Sequence, residues 1–383
     1  MLDSYISPTY PYNILYIIQN ILVVNLISYF SYKKNFIDKK VFILLLIFSI
    51  IPLIFNNSLL SWTNFPDQSK YFYNAKQLRL LNFEYFNIFE RVQLSSLIYS
   101  LIFFFNIQDF NSIAFINRLL INILIIYLVY RKFDKFVIIF FLFYPSIILY
   151  SGLALREALI IFISFFLILF LFKKKIMPII LFSFLLYILK VEVFYFIMTF
   201  FLTNTLFNKK NFLFNNVIKK SFFLFLIFII FIIIFFNFSE ILYYINFKRT
   251  GYFAEEFGGY RSLSTMYHYD PVAIDLITLK NLLNSFYLIF ITPNPFYLNN
   301  LSFVKILYSI ENITLIIFLY YFYKKIFYYN KILCIIYAFI LIFFLFFSHL
   351  IIFNLGNYLR QKFIFCTLAI IFLELFLNKK KIN

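Results

Sequence analysis

The chain reads as an all-α, polytopic integral membrane helix bundle, and three observations carry that reading. Its 383 residues are 64% hydrophobic and only 13% charged, against ~25% charged residues in ordinary soluble domains. Its apolar runs recur at lengths near the ~20 residues of a membrane-spanning helix. Its basic residues gather in six short islands between those runs: Lys33/Lys34/Lys39/Lys40, Arg131/Lys132/Lys135, Lys173–Lys175, Lys209/Lys210/Lys219/Lys220, Lys324/Lys325/Lys331 and Lys379–Lys381. The islands hold 20 of the 34 basic residues and two of the 16 acids, Asp38 and Asp134, so the net charge of +18 resides in them. Loops that alternate in this way follow the positive-inside rule and face the cytoplasm. Charge split among short loops does not line one face, which excludes a nucleic-acid footprint.

Placing every island inside threads the chain once. Helices are expected over 11–31 and 41–57, followed by an outer loop over 58–93. The apolar stretch 94–107 is short for a span, and counting it as one would put Arg131 outside, so it reads as a re-entrant element. Further helices follow at 112–130, 136–152, 157–172, 176–190, 193–207, 221–237, 300–323, 331–352 and 361–378, about eleven full spans in all. A second outer loop covers 238–299. Neither outer loop is a Gly/Ser- or Pro-rich linker, and no internal repeat breaks the pattern, so residues 1–383 read as one membrane domain. Met1-Leu2-Asp3-Ser4-Tyr5 lacks a basic n-region, so no cleaved signal peptide is expected. Cys334 and Cys366 lie in different apolar runs without metal or redox spacing and read as packing residues. The 62 Phe beside abundant Ile, Asn and Lys fit an AT-rich genome, so no single Phe carries weight.

Ionisable residues within a helix bundle are costly and face a cavity or a partner. In this threading they fall on the outer side. Arg118 is two turns into its helix, Arg156 and Glu157 join two helices, Lys190 and Glu192 tip a hairpin, and Arg360 and Lys362 head the last helix. The hairpin 176–207 is short for two passes at ~1.5 Å per residue, which sinks Lys190 and Glu192 below the outer surface. Each piece also has a plainer reading. Arg156–Glu157 fits an interfacial pair, Lys190 with Glu192 a snorkelling pair, and His268 and His349 fit satisfied interfacial histidines, since two isolated His make no metal site.

The first outer loop is more specific. In Asn64-Phe65-Pro66-Asp67-Gln68-Ser69-Lys70-Tyr71, Pro66 restricts the chain and Asp67 suits the positive end of a helix. Asp67, Tyr71 and Ala75 recur every four residues and share a face. The mixed charge of 67–92 suits a helix lying on the outer surface. An ordinary amphipathic loop helix with an acidic start gives the same pattern.

With those residues in place, the chain resembles the membrane-embedded C-type glycosyltransferases (GT-C fold), which use polyprenyl-phosphate-linked sugars. Asp67, Tyr71 and Ala75 match that family's acidic residue and following juxtamembrane helix. Asn117-Arg118-Leu119-Leu120, Arg131-Lys132-Phe133, Tyr144-Pro145-Ser146, Leu155-Arg156-Glu157-Ala158 and Leu189-Lys190 fit its later landmarks. Ile291-Thr292-Pro293-Asn294-Pro295-Phe296, Ile310-Glu311-Asn312 and Asn354-Leu355-Gly356-Asn357-Tyr358-Leu359-Arg360 are similar to bacterial polysaccharide-assembly membrane proteins. The chain departs from the pattern in an added first helix, one Asp where the family has an acidic pair, and no soluble C-terminal domain.

The resemblance implies a bacterial inner-membrane enzyme that moves a sugar from a polyprenyl-phosphate carrier to a lipid-linked or cell-surface glycan. Asp67 would be the catalytic base. Arg156, Lys190, Arg360 and Arg261 would hold the donor phosphate, and Tyr71 with loop aromatics would stack on sugar. Arg118, Glu157, Glu192 and His268 complete the substrate-binding set. A divalent ion could sit between Asp67 and Glu255, Glu256 or Asp270, at a spacing that is not diagnostic, and no other cofactor is expected. Two alternatives stay open: a repeat-unit polymerase for O-antigen or exopolysaccharide, and a flippase or transporter. Five Gly and no paired repeats weigh against the last.

Overall fold

The computed structural model describes residues 14–56, 67–83, 86–207, 303–351 and 355–377. It is all-α, with no strand among the described residues. In chain order the helices are α1 Ile14–Lys33, α2 Lys39–Phe48, α3 Ile51–Ile54, α4 Asp67–Arg79, α5 Arg91–Ser100, α6 Phe110–Tyr130 and α7 Lys135–Phe143. They continue with α8 Pro145–Ser151, α9 Glu157–Lys173, α10 Ile176–Leu189, α11 Val191–Phe207, α12 Phe303–Tyr329, α13 Lys331–Ile351 and α14 Leu355–Leu377. The chain divides into two compact units: residues 1–195, 298–319 and 370–383 form unit 1, and 196–297 and 320–369 form unit 2.

Among the described residues two helices, Ile14–Lys33 and Asn111–Tyr130, are long and apolar enough to cross a membrane. Several expected spans are shorter because the backbone breaks them. The helix expected over 41–57 divides into α2 and α3 around Pro52, and that over 136–152 into α7 and α8 at Pro145. Proline has no N–H to donate, and its ring clashes with the carbonyl four residues back. Tyr144, ahead of Pro145, is accordingly extended (φ −68°, ψ 122°). The element expected over 94–107 is helical only as α5, over Arg91–Ser100. The expected span over 221–237 and the loop over 238–299 lie outside the described residues.

Unit 1 is built round α6, whose side chains are largely buried. α1 packs along it with an inverted polarity. Asn20, Val24, Ser28 and Ser31 form the buried stripe, and Asn20 Nδ2 donates to Ser112 Oγ at 3.4 Å. Leu15, Ile18, Leu22 and Leu26 are exposed. Small and polar residues at the helix interface, with branched apolar residues facing out, is the arrangement of helices that pack within lipid. α10 likewise exposes Ile176, Met177, Ile180, Leu181 and Phe184 along one face.

Three of the basic islands converge on one end of unit 1. Each turn ends a helix with a left-handed residue: Asn35 (φ 58°) after α1, Lys132 (φ 52°) after α6 and Lys174 (φ 55°) after α9. In each, the next N–H reaches back five residues, Phe36 to Ser31 O, Phe133 to Leu128 O and Lys175 to Phe170 O, which satisfies orphan end carbonyls. Phe36 lies 4.7 Å from Tyr130, and Lys173 is within electrostatic reach of Arg131 and Lys175. Asp38 and Asp134, the two acids of the islands, cap the next helices: Asp38 accepts from Val41 N (2.8 Å), and Asp134 from Phe136 N (2.9 Å). Glu374, buried on α14, accepts the Asp134 N–H at 2.8 Å.

Unit 2 has an aromatic core. Phe196 packs on Phe344 and Phe365 at 5.2 and 5.0 Å, and Phe200 stacks on Tyr337 at 4.9 Å. Cys334 and Cys366 are buried and unbonded to each other, and the Cys334 thiol donates to Tyr323 O.

Candidate functional site

At the end of α6 away from the basic turns, the segment Gly152–Arg156 joins α8 to α9. Four buried side chains from different elements hold its backbone. Asn56, just after α3, donates to Gly152 O at 3.0 Å. Asn117 of α6 donates to both Leu153 O (2.7 Å) and Leu155 O (2.6 Å). The Tyr99 hydroxyl of α5 donates to Asn117 Oδ1 at 2.9 Å and lies 3.0 Å from Leu155 O. Gln68 of α4 accepts the Ala154 N–H at 2.7 Å. An irregular backbone segment inside a helical unit has to satisfy its polar groups from side chains, and here the carbonyls of Gly152, Leu153 and Leu155 and the Ala154 N–H are satisfied in that way. Gly152 is required by close approach, since a Cβ there would lie 2.6 Å from Phe55 Cδ2 and 2.7 Å from Ile51 Cγ2.

The held segment presents Arg156 as the N-cap residue of α9 and Glu157 in its first turn. Glu157 is buried, and Arg156 keeps Nη1 buried without a hydrogen-bond partner. Gln68 is the second residue of α4, so its bond to Ala154 brings the helix that begins with Asp67 against the same segment. Asp67 is 39% exposed and pairs with Lys70 at 3.3 Å. The face shared with Asp67 turns inward from Tyr71 onward: Tyr71 is 5% exposed, and Ala75 and Leu78 are buried beside it. The reason is α5, whose buried Ser95 and Ser96 allow close approach; Ser96 Oγ donates to Tyr71 O at 3.3 Å. Tyr71 is therefore a packing residue here, and its ring is not presented to solvent as the stacking role expected.

Lys190 ends α10 and is buried. α10 returns antiparallel along α9, which brings Lys190 within about one helical turn (~5 Å) of the level of Glu157. Glu192 follows in the first turn of α11, with one carboxylate oxygen buried and unpartnered. Arg118 lies deeper. It is fully buried, donates from Nη1 to Ser151 Oγ at 3.0 Å, stands 5.1 Å above the Phe48 ring, and has no partner for Nε and Nη2. Unit 1 thus gathers Asp67, Arg156, Glu157, Lys190 and Glu192 toward one end, with Arg118 behind the held segment. Arg360 and the buried Lys362 belong to unit 2. Arg261 and His268 lie outside the described residues, as do Glu255, Glu256 and Asp270 of the candidate ion set. Among the described residues no three His, Cys, Asp or Glu side chains cluster as a metal site requires.

Four residues of this region carry more than their sequence suggests. Arg79, at the end of α4, donates to Ser100 O (3.1 Å), Ile102 O (2.7 Å) and Phe105 O, tying down the chain that leaves α5. Burial lowers its pKa from the ordinary arginine value. Asn117 and Gln68 have no charge and escape a search for ionisable groups; a polar amide within an apolar helical run was the available signal for Asn117. Glu311 of α12 is buried and accepts from the Tyr144 hydroxyl (2.6 Å) and from Ser146 Oγ, on either side of the Pro145 break. No family model, no curated protein and no solved structure matches this chain.

Proposed function

We propose that the chain is a multi-pass protein of the bacterial inner membrane, a bundle of about eleven spans on the GT-C pattern. It transfers a sugar from a polyprenyl-phosphate carrier to a lipid-linked or cell-surface glycan on the extracytoplasmic face. The inverted polarity of α1 and the apolar outer face of α10 support the membrane setting. Taken together across their breaks, α2 with α3 and α7 with α8 each cover about 16 residues or ~25 Å, close to a thin hydrocarbon core. Three basic turns at one end of unit 1 and the carboxylate–guanidinium group at the other are what the positive-inside orientation requires of an outward-facing site.

The observation that carries the reading is the Gln68–Ala154 bond, which sets an Asp-led helix beside Arg156 and Glu157. In the proposed step an acceptor hydroxyl attacks the anomeric carbon of the donor. The new C–O bond forms as the bond to the phosphate oxygen breaks, and the phosphate leaves with the electron pair. Asp67 takes the hydroxyl proton. Arg156 and Lys190 neutralise the departing phosphate.

The test is the lipid-linked glycan pool of a strain lacking the chain, complemented with wild type or with Asp67→Asn. Single incomplete sugars in both the deletion and the Asp67→Asn strain, at wild-type protein level, support sugar transfer. Unpolymerised repeat units would indicate a polymerase, complete intermediates trapped inside a flippase, and full complementation by Asp67→Asn would remove Asp67 as the base.

A further inference from the structure

The basic end of unit 1 holds a group of cations whose placement the transfer reaction does not use. Arg131 follows α6, Lys173 ends α9, and Lys175 precedes α10; α9 packs on both α6 and α10, so the three residues sit at neighbouring helix ends, with Arg131 and Lys175 within electrostatic reach of Lys173. None of the three forms a salt bridge with a carboxylate among the described residues. Arg131 Nε is buried without an acceptor, while its guanidinium stands 5.9 Å from the Tyr127 and Tyr130 rings. Burial, then the charges of Arg131 and Lys175, lower the Lys173 pKa, although the carboxylates of Asp134 and Glu374 lie at the same end of the unit. Immediately beyond Lys175 the surface turns apolar: Ile176 is 71% and Met177 80% exposed, and Ile180 and Leu181 continue the track along α10. Tyr130 and Phe36, whose rings meet at a tilted 57°, flank the group on the α6 side and are also exposed.

We propose that Arg131, Lys173 and Lys175 form a binding site for the phosphate headgroup of an anionic phospholipid of the cytoplasmic leaflet, whose acyl chains lie along the exposed face of α10. Three cations at neighbouring helix ends supply the charge, and the apolar track that starts one residue after Lys175 supplies the contact for the chains. Basic pockets between helices on the cytoplasmic side recognise phospholipid headgroups in this way. The inference rests on the membrane setting proposed above and not on sugar transfer.

Native mass spectrometry of the full-length chain in detergent tests it, with phosphatidylglycerol, phosphatidylcholine and inorganic phosphate titrated in parallel. Wild type retains phosphatidylglycerol in preference to phosphatidylcholine, and the retention falls with added salt. Arg131→Gln and Lys175→Gln each weaken it about fivefold, and Arg131→Gln/Lys173→Gln/Lys175→Gln abolishes the preference. Lys331→Gln, in another basic island, leaves it unchanged. Equal retention of both lipids, or wild-type retention by the triple variant, overturns the site while leaving the membrane setting intact. Displacement of the lipid by millimolar inorganic phosphate overturns the lipid assignment. Failure to retain any phospholipid removes the membrane setting as well.

Discussion

Asn117 and Asn122 offer a direct test of the geometry, because they lie on the same helix, are both fully buried, and differ only in their partners. Asn117 makes two amide hydrogen bonds, to Leu153 O and Leu155 O, and accepts one from Tyr99. Asn122 has neither its amide nitrogen nor its amide oxygen partnered. Replacing either with Leu preserves approximate volume and improves helix propensity by a few tenths of a kcal/mol. Asn117→Leu strands the Leu153 carbonyl, since Leu155 O and the Tyr99 hydroxyl still have each other. Two lost bonds at about 1 kcal/mol each, plus a buried carbonyl costing about 1–2, give a destabilisation of about 3–4 kcal/mol. Asn122→Leu removes two unsatisfied polar atoms and is neutral or stabilising by about 1 kcal/mol. At ~2–4 °C per kcal/mol for a unit of this size, the two midpoints separate by roughly 10 °C. Heating the detergent-purified variants and measuring the remaining monodisperse fraction by size exclusion reads this difference. Equal shifts of the same sign would refute the hydrogen-bond assignment around the Gly152–Arg156 segment.

Three further substitutions probe the same framework. Gly152→Ala drives a methyl against Phe55 and Ile51, so it lowers the thermal midpoint by the equivalent of about 1–3 kcal/mol, and pairing it with Phe55→Leu recovers part of the loss. Leu81 is held left-handed (φ 59°) and is 75% exposed, so Leu81→Gly relieves about 1 kcal/mol of backbone strain with little lost burial and raises the midpoint. Arg79→Met leaves the carbonyls of Ser100, Ile102 and Phe105 without their shared donor. It costs about 2–4 kcal/mol, and limited proteolysis then cuts within 101–109 faster than in wild type.

Much of the outline was legible from residue order. The islands at 33–40, 131–135 and 173–175 predicted turns at a common end, and these three do meet, each as the same left-handed helix terminator. The helix over 112–130 and the hairpin over 176–207 were readable within a few residues because apolar length is a one-dimensional signal. The breaks at Pro52 and Pro145 were visible as residues but not as breaks, since neighbouring helices decide whether a proline kinks a span or divides it. Of the candidate site, Arg156, Glu157 and Lys190 were identifiable by charge. Tyr71 was assigned to the ligand, although the buried serines of α5 draw it into packing.

Sequence alone therefore determined which segments are apolar helices, where the basic turns fall and which ionisable groups lie away from them, because hydropathy and charge accumulate along the chain. Only the tertiary structure decided that Asn56, Gln68, Tyr99 and Asn117 converge on one five-residue segment, and so how Arg156 and Glu157 are aimed. Those four come from positions up to 96 residues from their partners. Hydrogen bonds over such separations depend on how helices pack in three dimensions, and no local pattern encodes them.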